Sequence, residues 1–144
     1  MWFSRKQVAA APAGPADGRL STKKKGDAAE AAALACLLKA GLQLIETNYR
    51  TPGRGGGEID LIMRAPDGTM VFVEVRQRAS ASHGGAAASI GHAKQQRIVF
   101  AARLFLMRFK SLPPCRFDVV LVEGKTDEAA GVQIEWLKAA FDAS

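Results

Sequence analysis

The chain has little from which to build a soft-metal or disulfide site, with two cysteines and two histidines among 144 residues. Cys36 and Cys115 stand far apart and belong to no CxxC or Cys/His spacing, so neither a zinc site nor a disulfide framework is indicated. His83 and His92 are isolated from one another and suggest no ligand pair. Long apolar runs are also missing, which argues against a membrane partner. Residues 1–25 lack the apolar h-region, about 7 to 15 residues long, that an export signal carries. The expectation is a cytoplasmic protein in a reducing compartment. No internal repeat is evident.

What is present is the composition of one globular domain, 48% hydrophobic and 24% charged. A net charge of +6 and a sequence pI near 9.7 favour an anionic partner, with nucleic acid ahead of a lipid surface. Part of that charge lies in Arg5-Lys6 and Lys23-Lys24-Lys25. These fall in a segment rich in Ala, Pro, Gly, Ser and Lys, whose apolar periodicity is too weak to offset the entropy of ordering. Residues 1–25 therefore read as a flexible basic N-terminal tail, and the folded domain as residues 26–144.

Asp27 is placed as an N-cap with Glu30 three positions on, and residues 31–39 continue as a helix that Gly41 stops. Residues 42–50 read as a first strand, broken by Pro52-Gly53-Arg54-Gly55-Gly56-Gly57. A second strand over 58–64 and a third over 70–78 flank Ala65-Pro66-Asp67-Gly68-Thr69, the turn chemistry of an antiparallel hairpin. Residues 79–88 form a small-residue loop suited to an active-site flap. A second helix is expected over 89–110, its apolar side carrying Ile90, Ile98, Ala101, Ala102, Phe105 and Leu106. Residues 116–123 and 132–137 read as two further strands. The order predicts an α/β protein with a central mixed β-sheet flanked by helices, the long helix acting as a crossover.

The chemistry concentrates in the hairpin. Alternation puts Glu58 and Asp60 on one face of the second strand, and Glu74 with Arg76 and Arg78 on one face of the third, opposite Val71, Val73 and Val75. Only the acid-bearing face of the third strand is expected to carry chemistry. Paired strands bring opposed Cβ atoms to roughly 5 Å, so Asp60 and Glu74 are candidate ligands for one hard divalent cation, Mg²⁺ or Mn²⁺. Such a cation, held by carboxylates, suits phosphodiester hydrolysis.

The segments Gly57-Glu58-Ile59-Asp60-Leu61-Ile62, Phe72-Val73-Glu74-Val75-Arg76-Gln77-Arg78, Gly84-Gly85-Ala86 and Lys94-Gln95-Gln96-Arg97 together resemble the YraN-like proteins of bacteria. That family is similar to Holliday-junction resolvases and to restriction endonucleases of the PD-(D/E)xK superfamily. The resemblance covers residues from about 26 to the C-terminus, including the Asn48-Tyr49-Arg50 segment. It implies a restriction-endonuclease-like fold and a metal-dependent nuclease acting on DNA phosphodiesters, branched DNA among them, for which a homodimer would suit a symmetric branch. It further implies Asp60 and Glu74 as metal ligands, Glu30 as an additional acid and Gln95 as a residue that orients water or phosphate. The superfamily's catalytic lysine falls at Arg76. A guanidinium stays protonated and binds phosphate but does not readily serve as a base, so the alternative is a nucleic-acid-binding module without catalysis.

Blander readings stand beside these. Asp60 and Glu74 could be structural partners of Arg76 or Arg64, Glu58 could simply be exposed beside its glycines, and Glu30 could act only in helix capping. Arg76 and Arg78 could be edge-strand charges that discourage aggregation. Lys94, Arg97, Arg103 and Arg108 more often mark a solvated helical face, yet Lys94, Arg97 and Arg108 could contact phosphates that position DNA without reading its sequence, and Lys94, Arg97 and Arg78 are the nucleic-acid-binding candidates. Trp136 and Phe141 read as core or dimer surface.

Overall fold

A computed structural model describes residues 18–78, 90–123 and 133–143, with side chains from residue 26 onward except that of Arg78. The expected flap over 79–88, the Gly84-Gly85-Ala86 segment, His83, the turn around 124–131 and residues 1–17 lie outside the described residues. The elements in order are α1 (Gly18–Lys39), β1 (Gln43–Arg50), β2 (Glu58–Arg64), β3 (Met70–Arg78), α2 (His92–Leu106), β4 (Cys115–Glu123) and β5 (Gln133–Phe141).

The start of α1 departs from the sequence expectation. The helix already runs at Gly18, so Asp27 lies inside it and is not its N-cap. Its far end follows expectation: Gly41, at φ +101°, lets Leu42 N–H reach the Leu37 carbonyl at 3.1 Å and Gly41 N–H the Leu38 carbonyl at 3.0 Å. This is the six-to-one and five-to-two pair of a Schellman cap, which needs a residue comfortable in the left-handed region. Ala29, Ala33 and Leu37 recur every four positions and are buried, so the helix lays a narrow small-residue stripe on the sheet.

Five strands form one sheet in the order β1-β2-β3-β4-β5. All neighbours are antiparallel except β3 and β4, which run parallel from Met70↔Cys115 to Arg78↔Glu123, and α2 makes the crossover between them. The β2–β3 turn closes through Gly68 N–H to Ala65 O at 2.9 Å and Thr69 N–H to the Asp67 carboxylate at 3.0 Å. Both faces of the sheet are covered. Val71 and Val73 pack with Leu61, Met63, Val120 and Val122 under α1, whereas Phe72, Ile59, Ile62 and Phe117 pack under Ile98, Ala102 and Phe105 of α2. The acid-bearing face of β3 is therefore core at Met70 and Phe72, and Glu74 follows at the middle of the strand.

At the other side of the sheet, the β4–β5 ladder is irregular between Phe117 and Val119. There the fully buried Asp118 accepts from Trp136 Nε1 at 2.8 Å, from Ala139 N–H at 2.9 Å and from Arg116 Nε at 3.1 Å. Ala139 takes a positive φ of 51° to present its N–H. Trp136 is thus part of the fold, packed against the α1-side core with its nitrogen on a buried acid.

Candidate active site

The β2–β3 ladder runs from Arg64↔Met70 to Leu61↔Val73 and then stops. Continued by one step, the register would oppose Asp60 and Glu74. Instead Asp60 turns its carboxylate to the third strand and accepts the Val75 N–H through Oδ2 at 2.9 Å. A side chain thus replaces a backbone acceptor where the strands part, and a cleft of about 660 Å³ opens at that end of the sheet.

Acids line the cleft from three elements, Glu30 from α1, Glu58 and Asp60 from β2 and Glu74 from β3; Arg50, Lys94 and Arg97 supply the cations. Val75 and Gln77 also line it, so the cleft draws on the α1 side of the third strand as well as on the face that carries Glu74. Glu74 is nearly buried, its side chain 7% exposed, and its Oε2 lies 2.7 Å from Lys94 Nζ. Arg50 and Glu58, register partners on β1 and β2, approach to 3.6 Å at the rim.

Crowding of acids sets the electrostatics. Burial and the neighbouring Glu74 push the Asp60 carboxyl up to about 7, with Glu30 and Glu58 adding to the rise and the Val75 N–H opposing it. Glu30 is also raised, by burial first and then by Asp27 and Glu58, while a hydrogen bond from the Asn48 side chain works against the rise. Asn48 sits at φ +52° inside β1, a backbone state Asn tolerates better than most residues.

Gly57 fixes how closely the second helix approaches. A Cβ at this buried position would overlap the Arg97 carbonyl, so only glycine allows α2 to lie directly on the start of β2. The loop before it is tied down by Thr51, whose Oγ1 accepts the Gly57 N–H at 2.7 Å and whose N–H donates to Gly57 O at 3.0 Å. This contact brings Lys94 and Arg97 to the cleft.

The structure therefore gathers Glu30, Asp60, Glu74, Lys94 and Arg97 into one cleft. Arg76, half-buried, is not among the described residues that line it. Gln95 turns its amide to the Ile90 carbonyl at 2.8 Å. Arg108 is drawn to Glu46 at 3.8 Å and over the Phe105 ring. The side chain of Arg78 lies outside the described residues. Sequence reasoning missed the pairing of Lys94 with Glu74 and the packing role of Gly57. A glycine at the end of a glycine run looks like ordinary turn chemistry, and nothing local in sequence signals a helix resting on it.

Among the described residues no three His, Cys, Asp or Glu side chains converge on a common metal position. No described helix is long and apolar enough to cross a membrane.

Fold and cleft define an α/β protein with a five-stranded mixed sheet, one helix on each face, and a carboxylate-rich pocket where two strands part. The chain belongs to the YraN-like family described as Uncharacterised protein family UPF0102, which matches residues 29–122. It is similar to a UPF0102 protein of Polaromonas naphthalenivorans strain CJ2, 67% identical over the whole of both chains. It is likewise similar to that of Polaromonas sp. strain JS666, 65% identical over the whole of both. A third relative, from Albidiferax ferrireducens, is 68% identical over 85% of this chain and 91% of its own.

Proposed function

We propose that the cleft binds nucleic acid, DNA in the first instance, and hydrolyses its phosphodiesters with the help of Mg²⁺ or Mn²⁺ on a restriction-endonuclease-like domain. The observation that carries this reading is the forced proximity of Asp60 and Glu74 beside Lys94 and Arg97. A carboxyl pushed up to about 7 by a neighbouring carboxylate, in a polar cleft with cations on one wall, is the kind of perturbed group that functional sites collect.

The donor set fits a hard cation. Two carboxylates that repel one another would be relieved by a divalent ion, and a site with few protein donors suits Mg²⁺, which keeps several of its waters. Such an ion supplies a more acidic water and offsets charge on the phosphate. Asp60 and Glu74 would hold it. Arg97 and Lys94, on the wall made by α2, take phosphate oxygens and fix the backbone of the substrate without reading bases. Glu30, raised above its ordinary range and lining the same cleft, would hold a proton there for the reaction. Arg76, outside the cleft lining, contributes positive charge to the surrounding surface and not a base to the reaction.

A second reading, binding without cleavage, draws on the Lys94–Glu74 pair at 2.7 Å, which gives Glu74 a counter-charge from within the chain. One panel separates the two. Purified protein is incubated with Mg²⁺ or Mn²⁺ and linear duplex, single-stranded and four-way-junction DNA. The nuclease reading expects cutting of at least one substrate, lost in Asp60→Ala. Binding that weakens steeply with salt, with no Asp60-dependent cutting anywhere in the panel, establishes the second reading and removes the first.

A further inference from the structure

Lys94 and Glu74 form an unequal pair. Glu74 is fixed on a central strand with its side chain 7% exposed, whereas Lys94 is 46% exposed and reaches it from the first turns of α2 along a flexible stem. A carboxylate buried to that degree is costly unless a charge compensates it. Without metal, Lys94 Nζ at 2.7 Å supplies that compensation. The same ammonium is then unavailable to a phosphate.

The geometry points to Lys94 as a switchable anion-binding arm: a divalent ion on Asp60 and Glu74 displaces it from Glu74 and frees it for a substrate phosphate, so that metal and nucleic acid bind cooperatively. The inference rests on the metal-dependent reading of the cleft and adds how its binding is gated. Displacement follows from charge alone, because the ion both replaces the compensation that Lys94 gives and repels the ammonium. The freed arm stays at the cleft. The backbone of α2 is held against Gly57 at Arg97, and Lys94 and Arg97, three positions apart, point to neighbouring parts of one helix side. Both line the pocket, and Arg76 does not. An ammonium on a four-carbon stem can trade a carboxylate for a phosphate by rotamer change, which a strand-bound group cannot do.

Linkage makes this measurable without turnover, since two ligands that help one another do so by the same factor in either order. Mn²⁺ affinity is measured by calorimetry in the absence of DNA. Affinity for a phosphorothioate oligonucleotide that resists cleavage is measured by fluorescence anisotropy with and without Mn²⁺ at constant ionic strength. In the wild type, Mn²⁺ should tighten oligonucleotide binding by roughly fivefold, the scale of an ordinary coupling. Lys94→Met should bind Mn²⁺ about fivefold more tightly, its competitor gone, and should lose the Mn²⁺-dependent gain in oligonucleotide affinity. Glu74→Gln provides an independent arm. With no charge to compensate, it should bind the oligonucleotide without metal about as tightly as the metal-loaded wild type, and Mn²⁺ should add nothing.

Circular dichroism confirms that each variant is folded. Unchanged or weaker Mn²⁺ affinity in Lys94→Met overturns the switch, as does unaltered metal-free oligonucleotide binding in Glu74→Gln. If the wild type shows Asp60-dependent cleavage alongside either result, the switch alone fails. If the wild type binds no Mn²⁺ and cuts nothing, the metal-dependent reading fails and the switch with it.

Discussion

Asp60 on β2 and Asp118 on β4 each sit where a strand ladder is interrupted, and each lends a carboxylate oxygen to a backbone N–H of the next strand, Val75 in one case and Ala139 in the other. Their surroundings then diverge. Asp118 has no exposed surface and is met by an indole N–H, a guanidinium and the backbone, all donors. Asp60 keeps some exposure, has the one backbone donor among the described residues, and is surrounded by Glu74, Glu30 and Glu58. Burial of an acid therefore does not by itself mark a site. A carboxylate whose neighbours all donate is a structural joint, and one whose neighbours also carry negative charge is poised to take up a cation or a proton.

The sharpest way to break that distinction is to remove each acid. Asp60→Ala is expected to take cleavage to background while the protein stays folded. If Asp118→Ala were to do the same without loss of stability, the two acids would not differ in kind. Asp118→Ala is instead expected to cost about 3 kcal/mol in urea unfolding, because it leaves Arg116, Trp136 Nε1 and Ala139 N–H without their acceptor. Residual cleavage should then follow the folded fraction.

Gly57→Ala tests how the cleft gets its cations. The added methyl must push against the Arg97 carbonyl, a cost of about 1–3 kcal/mol in stability. The displacement of α2 should also weaken DNA binding more than the loss of stability explains.

The pH dependence sharpens the contrast further. Asp60 titrates near 7 in the folded chain against an ordinary 3.8, so the folded state holds that proton more firmly than the unfolded state. The stability it contributes is complete below about pH 4 and is lost as pH rises through about 7. Asp60→Asn should flatten this slope between about pH 4 and pH 7 and should be more stable than the wild type at pH 8. Equal slopes in the two proteins would show that Asp60 is not perturbed. The smallest effect expected is that of Arg97→Ala, which should lower DNA affinity a few-fold and reduce the slope of log affinity against log salt by about 1, as for one lost phosphate contact.

Much of the frame was legible locally. The bounds of β2 and β3 and their antiparallel hairpin follow from alternation and from Asp67-Gly68 turn chemistry, both of which act within a few residues. Most of the apolar side of α2 was legible for the same reason, although Ile90 precedes the helix and Val99 belongs to that side. The start of α1 was not, because residues 18–25 show little apolar periodicity and yet continue a helix that Ala29, Ala33 and Leu37 anchor further on. Asp60 and Glu74 could be paired by register arithmetic. The partner of Glu74 could not, since Lys94 comes from another layer of the fold and its sequence neighbourhood reads equally well as a solvated face. Asp118 was invisible for a similar reason, its donors Trp136 and Ala139 lying on a strand that only the completed sheet brings alongside.

The parallel pairing of β3 with β4 has a consequence for the order of folding. The meander of β1, β2 and β3 rests on contacts close in sequence, and it already carries Asp60 and Glu74. Closing a parallel pair requires the intervening helix and the next strand, a slower, longer-range event. Lys94 joins Glu74 only when that crossover closes. The acids of the hairpin thus come together through contacts close in sequence, whereas the cation that balances Glu74 depends on the long-range closure of the sheet.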